Sequence, residues 1–126
     1  MTLNSFNFNT TAGLRFGSGQ AKNSCKEIFN KLGSRIIFIT DKGLMSLGLT
    51  KPTIEELKKM GSVEIFGEVE SDPSQKTLLK AIEIGKKFKA TGVVGFGGGS
   101  SMDVAKLVAL ILGSNEDLEE VWGVAK

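Results

Sequence analysis

The 126-residue sequence has no histidine, no tyrosine, one cysteine, one tryptophan and two prolines. Without imidazole and with a single thiol, it cannot build the usual histidine- or cysteine-rich transition-metal site. It also lacks the side chain that ordinarily exchanges protons near neutral pH. Cys25 has no second cysteine to pair with, which excludes an internal disulfide and suits a reducing cytoplasm. Within an expected helix it reads as a small packed hydrophobe rather than a reactive thiol. No long hydrophobic run is present: Val104 to Leu112 is interrupted by Lys106 and is far too short to span a bilayer. Residues 1–10 carry no signal-peptide pattern. Net charge is +2, too small to argue for a nucleic-acid or anionic-membrane partner.

Hydrophobic residues make up 40% of the chain and charged residues 24%, the balance of an ordinary globular domain. The length fits one domain with a modest core. Phe6 and Phe8, a Thr10–Gly13 turn, then Leu14 and Phe16 alternate as a β-hairpin does. Ala21 to Leu32 has helical spacing, with Ile28, Phe29 and Leu32 on one face and Gly33 as a stop. Arg35 to Thr40 contains Ile-Ile-Phe-Ile without alternation, the signature of a strand buried on both faces of a parallel sheet. Lys42 to Leu49 reads as a short helical segment. Pro52 to Met60 reads as a helix with a capping box formed by Thr53 and Glu56. Ser62 to Phe66 is a second strand. Asp72-Pro73 opens a helix that runs to about Lys89. Val93 to Phe96 is a third strand, and Met102 to Leu112 is a helix apolar nearly all round. Asn115 to Trp122 is a last, acidic helix. Strands alternating with helices predict an α/β fold, a Rossmann-like parallel sheet with flanking helices, preceded by the N-terminal hairpin. A three-stranded sheet is too small to cover the apolar helix, so the domain reads as incomplete, with Leu107, Val108, Leu110 and Ile111 left exposed.

The run Gly95-Phe-Gly-Gly-Gly-Ser-Ser-Met-Asp-Val-Ala-Lys106 joins the third strand to that helix. Glycines there let a phosphate approach the backbone, and the first-turn N–H groups of the helix point at it. The spacing departs from the usual dinucleotide fingerprint, because Ser100 stands where a third glycine belongs and the loop follows the third strand. Nor is it a P-loop, since no Lys-Ser or Lys-Thr follows a suitably spaced glycine pair. The plain structural alternative is a tight turn with close helix–strand packing.

Gly97-Gly98-Gly99-Ser100-Ser101-Met102-Asp103-Val104-Ala105-Lys106 resembles the signature of the iron-containing (group III) alcohol dehydrogenase family. Phe16-Gly17 with Gly19, Thr40-Asp41-Lys42-Gly43-Leu44 and Asp72-Pro73 fall in that family's order and spacing. Glycerol dehydrogenase-like and dehydroquinate synthase-like enzymes share the architecture, but the Ser-Ser-Met-Asp-Val-Ala-Lys run fits the alcohol dehydrogenase branch better. The resemblance implies that residues 1–126 are an N-terminal NAD-binding α/β domain, with the family's helical metal domain absent. It implies a diphosphate on Gly98, Gly99, Ser100 and Ser101. Asp103 and Lys106 match positions facing the nicotinamide half, and Asp72 one near the adenosine half. Asp41 falls at the coenzyme-selecting position, which favours NAD over NADP. Each residue also has a simpler reading. Asp41 and Asp72 suit helix N-caps, Asp103 suits a first-turn carboxylate, and Lys106 suits a solvated lysine. Family members hold iron or another divalent metal through one aspartate and three histidines beyond this region. The resemblance therefore assigns this chain no catalytic residue and no metal ligand. Two functions follow: the cofactor side of a metal-dependent alcohol dehydrogenase, inactive alone, or a stand-alone nucleotide- or phosphate-binding module. The uncovered apolar surface predicts a homodimer or other self-association.

Overall fold

A run of four apolar residues pointing to both faces is stable only between two layers, and Ile36 to Ile39 of Arg35–Ile39 (β1) occupies that place. In the computed structural model, which describes residues 20–114, Ile36, Ile37, Phe38 and Ile39 are each 0% exposed. Full burial of each such side chain contributes about 1.5–3 kcal/mol. β1 pairs in parallel with Ser62–Phe66 (β2) on one side and Gly92–Gly95 (β3) on the other, giving the order β2-β1-β3. Ile37 stands opposite Glu64 and Val93. The expected parallel α/β sheet is therefore present. The expected hairpin over residues 6–16 and the acidic helix over 115–122 lie outside the described residues.

Helices cover both faces. Gln20–Asn23 (α1) and Cys25–Leu32 (α2) stand where one helix was expected. Ser24 interrupts them while keeping helical bonds on both sides, from its N–H to Gln20 and from Ile28 to its carbonyl. Lys42–Ser46 (α3) ends three residues before Leu49. Lys51–Met60 (α4) packs Ile54 and Leu57 with Cys25 against Ile36 and Phe38. The capping box expected of Thr53 and Glu56 does not form. Pro52 is tolerated in the first turn, so the helix starts earlier, with Thr50 as its N-cap. Thr53 is then buried inside the helix, and Glu56 pairs with Lys59 Nζ at 2.7 Å.

On the opposite face lie Gln75–Phe88 (α5) and Gly99–Ser114 (α6). Asp72 does not cap α5. Ser74 does, its Oγ accepting from the Thr77 N–H at 3.2 Å, while Asp72 takes a left-handed φ of 55°. The far end of α5 is tied to β1 by Arg35, whose Nε donates to the Phe88 carbonyl at 2.7 Å while its guanidinium covers the Phe88 ring at 4.4 Å.

The apolar α6 is better covered than its sequence suggested. Val104, Val108 and Ile111 are buried among Ile37, Ile39, Leu78, Ala81 and Ile82, so Val108 and Ile111 are not exposed. The reason is the close approach of α5. A Cβ on Gly85 would stand 2.8 Å from Leu112 Cδ1, so its absence lets the two helices meet. Leu107 and Leu112 are half-buried. Met102 and Leu110 keep 47% and 45% of their surface.

Candidate functional site

In a parallel sheet every strand ends at the same edge, and here the carboxyl ends of β1, β2 and β3 deliver Asp41, Glu68 and the glycine loop to one place. The order in which strands are added reverses at β1, since β2 lies on one side and β3 on the other. Ligands of open α/β sheets bind in the crevice such a reversal creates. An open cavity of 590 Å³ lies there, lined by Asp41, Lys42, Gly43, Glu68, Val69, Glu70, Ser71 and residues Gly98 to Ser101.

The loop glycines divide by cause. Gly95 sits where a Cβ would meet Ala105 Cβ at 2.7 Å, so it serves strand–helix packing. Gly97 has φ 138°, and a Cβ there would stand 2.9 Å from Leu44 Cδ1. It folds the loop down onto the Asp41 turn. Gly98 and Gly99 differ: their φ values need no glycine, and a Cβ on either would meet nothing within 4 Å. Among the described residues nothing occupies the space a side chain at these two positions would take, and both line the cavity. Backbone left open in this way can be approached closely by a ligand. Gly98 accepts the Met102 N–H at 3.1 Å, which opens α6. The N–H groups of Gly99, Ser100 and Ser101 then form its first turn, where helix geometry supplies no carbonyl partner. Ser101 is 2% exposed and lines the floor of the cavity.

Asp41 is the N-cap of α3, with Oδ1 accepting from the Leu44 N–H at 2.8 Å. A carboxylate has further acceptor sites, so the cap leaves room for a ligand. The other three residues singled out in the sequence lie elsewhere. Asp72, Asp103 and Lys106 line a second cavity of 430 Å³ with Pro73, Leu78, Val104 and Leu107. The structure thus groups Asp41 with the glycine loop, and Asp72 with Asp103 and Lys106. The segment from Glu70 to Pro73 separates the two cavities.

Glu68, Glu70 and Ser71 were missed by sequence reasoning. Their signal was position alone: they follow β2 at the sheet edge where the other site residues stand. Glu68 pairs with Lys80 Nζ at 2.7 Å, and that hydrogen bond holds its carboxyl below the usual range. Glu70 accepts from the Thr77 hydroxyl and the Ser74 N–H, which lowers its pKa too. Cys25 is remote from both cavities, 1% exposed, with its thiol against the Thr53 carbonyl; burial pushes its pKa up. Among the described residues no three His, Cys, Asp or Glu side chains gather to hold a metal. No helix among them is long and apolar enough to cross a membrane.

The sequence pattern of the family described as iron-containing alcohol dehydrogenase matches residues 11–126. Sulfoacetaldehyde reductase of Bilophila wadsworthia is 31% identical over 110 residues, covering 86% of this chain and 28% of that protein. Choline dehydrogenase of Bacillus subtilis is 35% identical over 98 residues, covering 77% of this chain and 24% of that protein. This chain therefore spans about a quarter of the length of these relatives. Among solved structures, NADH-dependent butanol dehydrogenase A from Thermotoga maritima superposes with a TM-score of 0.81 at 27% identity, over 97% of this chain and 32% of that one. Sulfoacetaldehyde reductase from Bifidobacterium kashiwanohense in complex with NAD+ gives a TM-score of 0.77 at 27% identity, again over 97% and 32%.

The division of glycines is testable by stability alone. Gly97→Ala is expected to lower unfolding free energy by about 1–2 kcal/mol, because alanine must adopt a left-handed backbone against Leu44. Gly99→Ala is expected to cost nothing, since its Cβ enters open space and alanine favours the helix. Urea unfolding of the two variants checks this, and equal losses would refute the division.

Proposed function

The chain belongs to the iron-containing alcohol dehydrogenase family, and from that premise we propose that it forms the cofactor side of an NAD-dependent alcohol or aldehyde dehydrogenase. The observation that carries this reading is the pair Gly98 and Gly99, open to a cavity at the start of α6 with no packing neighbour among the described residues. The pyrophosphate lies on the N–H groups of Gly99 to Ser101, with the Ser100 and Ser101 hydroxyls as further donors. The α6 dipole adds about 0.3–1 kcal/mol there. Asp41 accepts from the adenosine ribose hydroxyls and repels a 2′-phosphate, so NAD is favoured over NADP. The second cavity takes the nicotinamide half at Asp103 and Lys106; Asp72, which the resemblance puts near the adenosine half, lines that same cavity and is assigned here to the nicotinamide side instead. When bound, the nicotinamide supplies the hydride exchange. This chain's residues bind and orient it.

Calorimetry with NADH and NADPH tests the site. Gly99→Val is expected to abolish binding. Asp41→Asn keeps the acceptor for Leu44 and removes the charge, so the NADPH-to-NADH affinity ratio should rise about tenfold. An unchanged ratio would leave Asp41 as a helix cap alone.

The sequence has no histidine, and among the described residues no three His, Cys, Asp or Glu side chains gather, so the role we propose for these residues is on the cofactor. We assign no turnover to residues 1–126 by themselves. Incubation with a short alcohol, NAD and iron or zinc is expected to form no NADH, and formation would overturn this. The same lack of ligands favours a second reading, a stand-alone nucleotide- or phosphate-binding module. Turnover would remove it as well.

Self-association and a cytoplasmic setting belong to this proposal. The outer edge of β3 has no strand beside it among the described residues, and apolar hollows of 350 and 240 Å³ flank it on either side of Val93. An unpaired edge is a template for a second copy. Light scattering at micromolar concentration should report a dimer; a monomer would mean that the edge is closed by the chain itself.

A further inference from the structure

Between β2 and α5 the chain makes a short loop whose apex is conformationally costly. Asp72 has φ 55°, in a region that non-glycine residues avoid unless their surroundings impose it. What imposes it is visible. Glu70 Oε1 reaches across the loop to accept the Ser74 N–H at 3.0 Å and the Thr77 hydroxyl. Ser74 Oγ lies 3.1 Å from Thr77 Oγ1 and caps the helix behind them. One carboxylate thus closes a ring from residue 70 to residue 74, with Ser71 to Pro73 inside it. That ring is the partition of the site: Glu70 and Ser71 line the first cavity, Asp72 and Pro73 the second.

We propose that Glu70 is a positioning residue for the dinucleotide site, lacing the 70–74 loop so that Ser71 and Asp72 face their separate cavities. The proposal rests on the dinucleotide reading above. Glu70 works as an acceptor, through Ser74 and Thr77, and not through its charge on the ligand. An uncharged side chain of the same shape therefore does the same work, because a glutamine carbonyl accepts the same two bonds. A plain helix cap behaves differently. Loss of the Ser74 hydroxyl weakens α5 and removes that hydroxyl's lesser interaction with Glu70, yet leaves the Ser74 N–H and the Thr77 hydroxyl on Glu70 and so the loop in place.

The test compares Glu70→Ala, Glu70→Gln and Ser74→Ala in the full chain. NADH affinity is read by calorimetry below each variant's melting temperature. Amide hydrogen exchange over residues 70–77 is read without ligand. Glu70→Ala should weaken NADH about tenfold, the worth of one ordinary hydrogen bond, and speed exchange in the loop. Glu70→Gln should restore both to near the parent. Ser74→Ala should lower the melting temperature and leave NADH affinity unchanged. Parent-like affinity in folded Glu70→Ala overturns the proposal. So does a Glu70→Gln variant as weak as Glu70→Ala, which would make the charge itself the contact. If the parent protein gives no heat with NADH, the dinucleotide reading falls. Exchange then decides Glu70 alone: faster loop exchange in Glu70→Ala retains its positioning role, and parent-like exchange overturns it.

Discussion

The burial of β1 on both faces organises the molecule. Its odd residues, Ile37 and Ile39, hold α5 and α6; its even residues, Ile36 and Phe38, hold α2 and α4. Because the strand is central and parallel to both neighbours, its end fixes where Asp41 stands relative to the glycine loop and to the segment after β2. A one-residue slip of β1 would exchange the two apolar sets and turn Asp41 away from the cavity. The site's geometry is therefore inherited from the most hydrophobic part of the chain.

Around that strand the close contacts are made by what side chains lack. Gly85 lets α5 meet Leu112 of α6, and Gly95 lets α6 sit on β3. Gly97 lowers its loop onto Leu44. These three serve the fold, and they bring the start of α6 to the sheet edge. Gly98 and Gly99 pack against nothing among the described residues and open onto the crevice. The carboxylates nearby are restrained in the same spirit: Asp41 by Leu44, Glu68 by Lys80, Glu70 by Ser74 and Thr77. Each carboxylate is held by a hydrogen bond of its own, so the crevice is lined by oriented acceptors.

Much of this was legible in the sequence. The unalternating Ile-Ile-Phe-Ile run announced a central strand, and the glycine loop announced the crevice. What the sequence hid was mostly pairing in space. Thr53 and Glu56 have capping-box spacing, but the tolerance of Pro52 in a first turn moved the helix start to Lys51. Asp72-Pro73 resembles a helix start, but Ser74 takes that role and Asp72 turns left-handed before it. The exposure expected of Val108 and Ile111 ignored α5, whose approach depends on a glycine in the middle of a helix. The partition of Asp72 from Asp41 follows from the same loop, and no local pattern encodes it.

Cys25 gives the core a voice of its own. The thiol is shut between α2 and α4 and raised in pKa by burial, so it is doubly protected: few thiolates form, and reagents cannot reach them. It is also the only sulfhydryl in the chain. Alkylation at neutral pH therefore proceeds no faster than α2 and α4 part company. A covalent label would accumulate as a clock of that opening, on the face of the sheet away from α5 and α6.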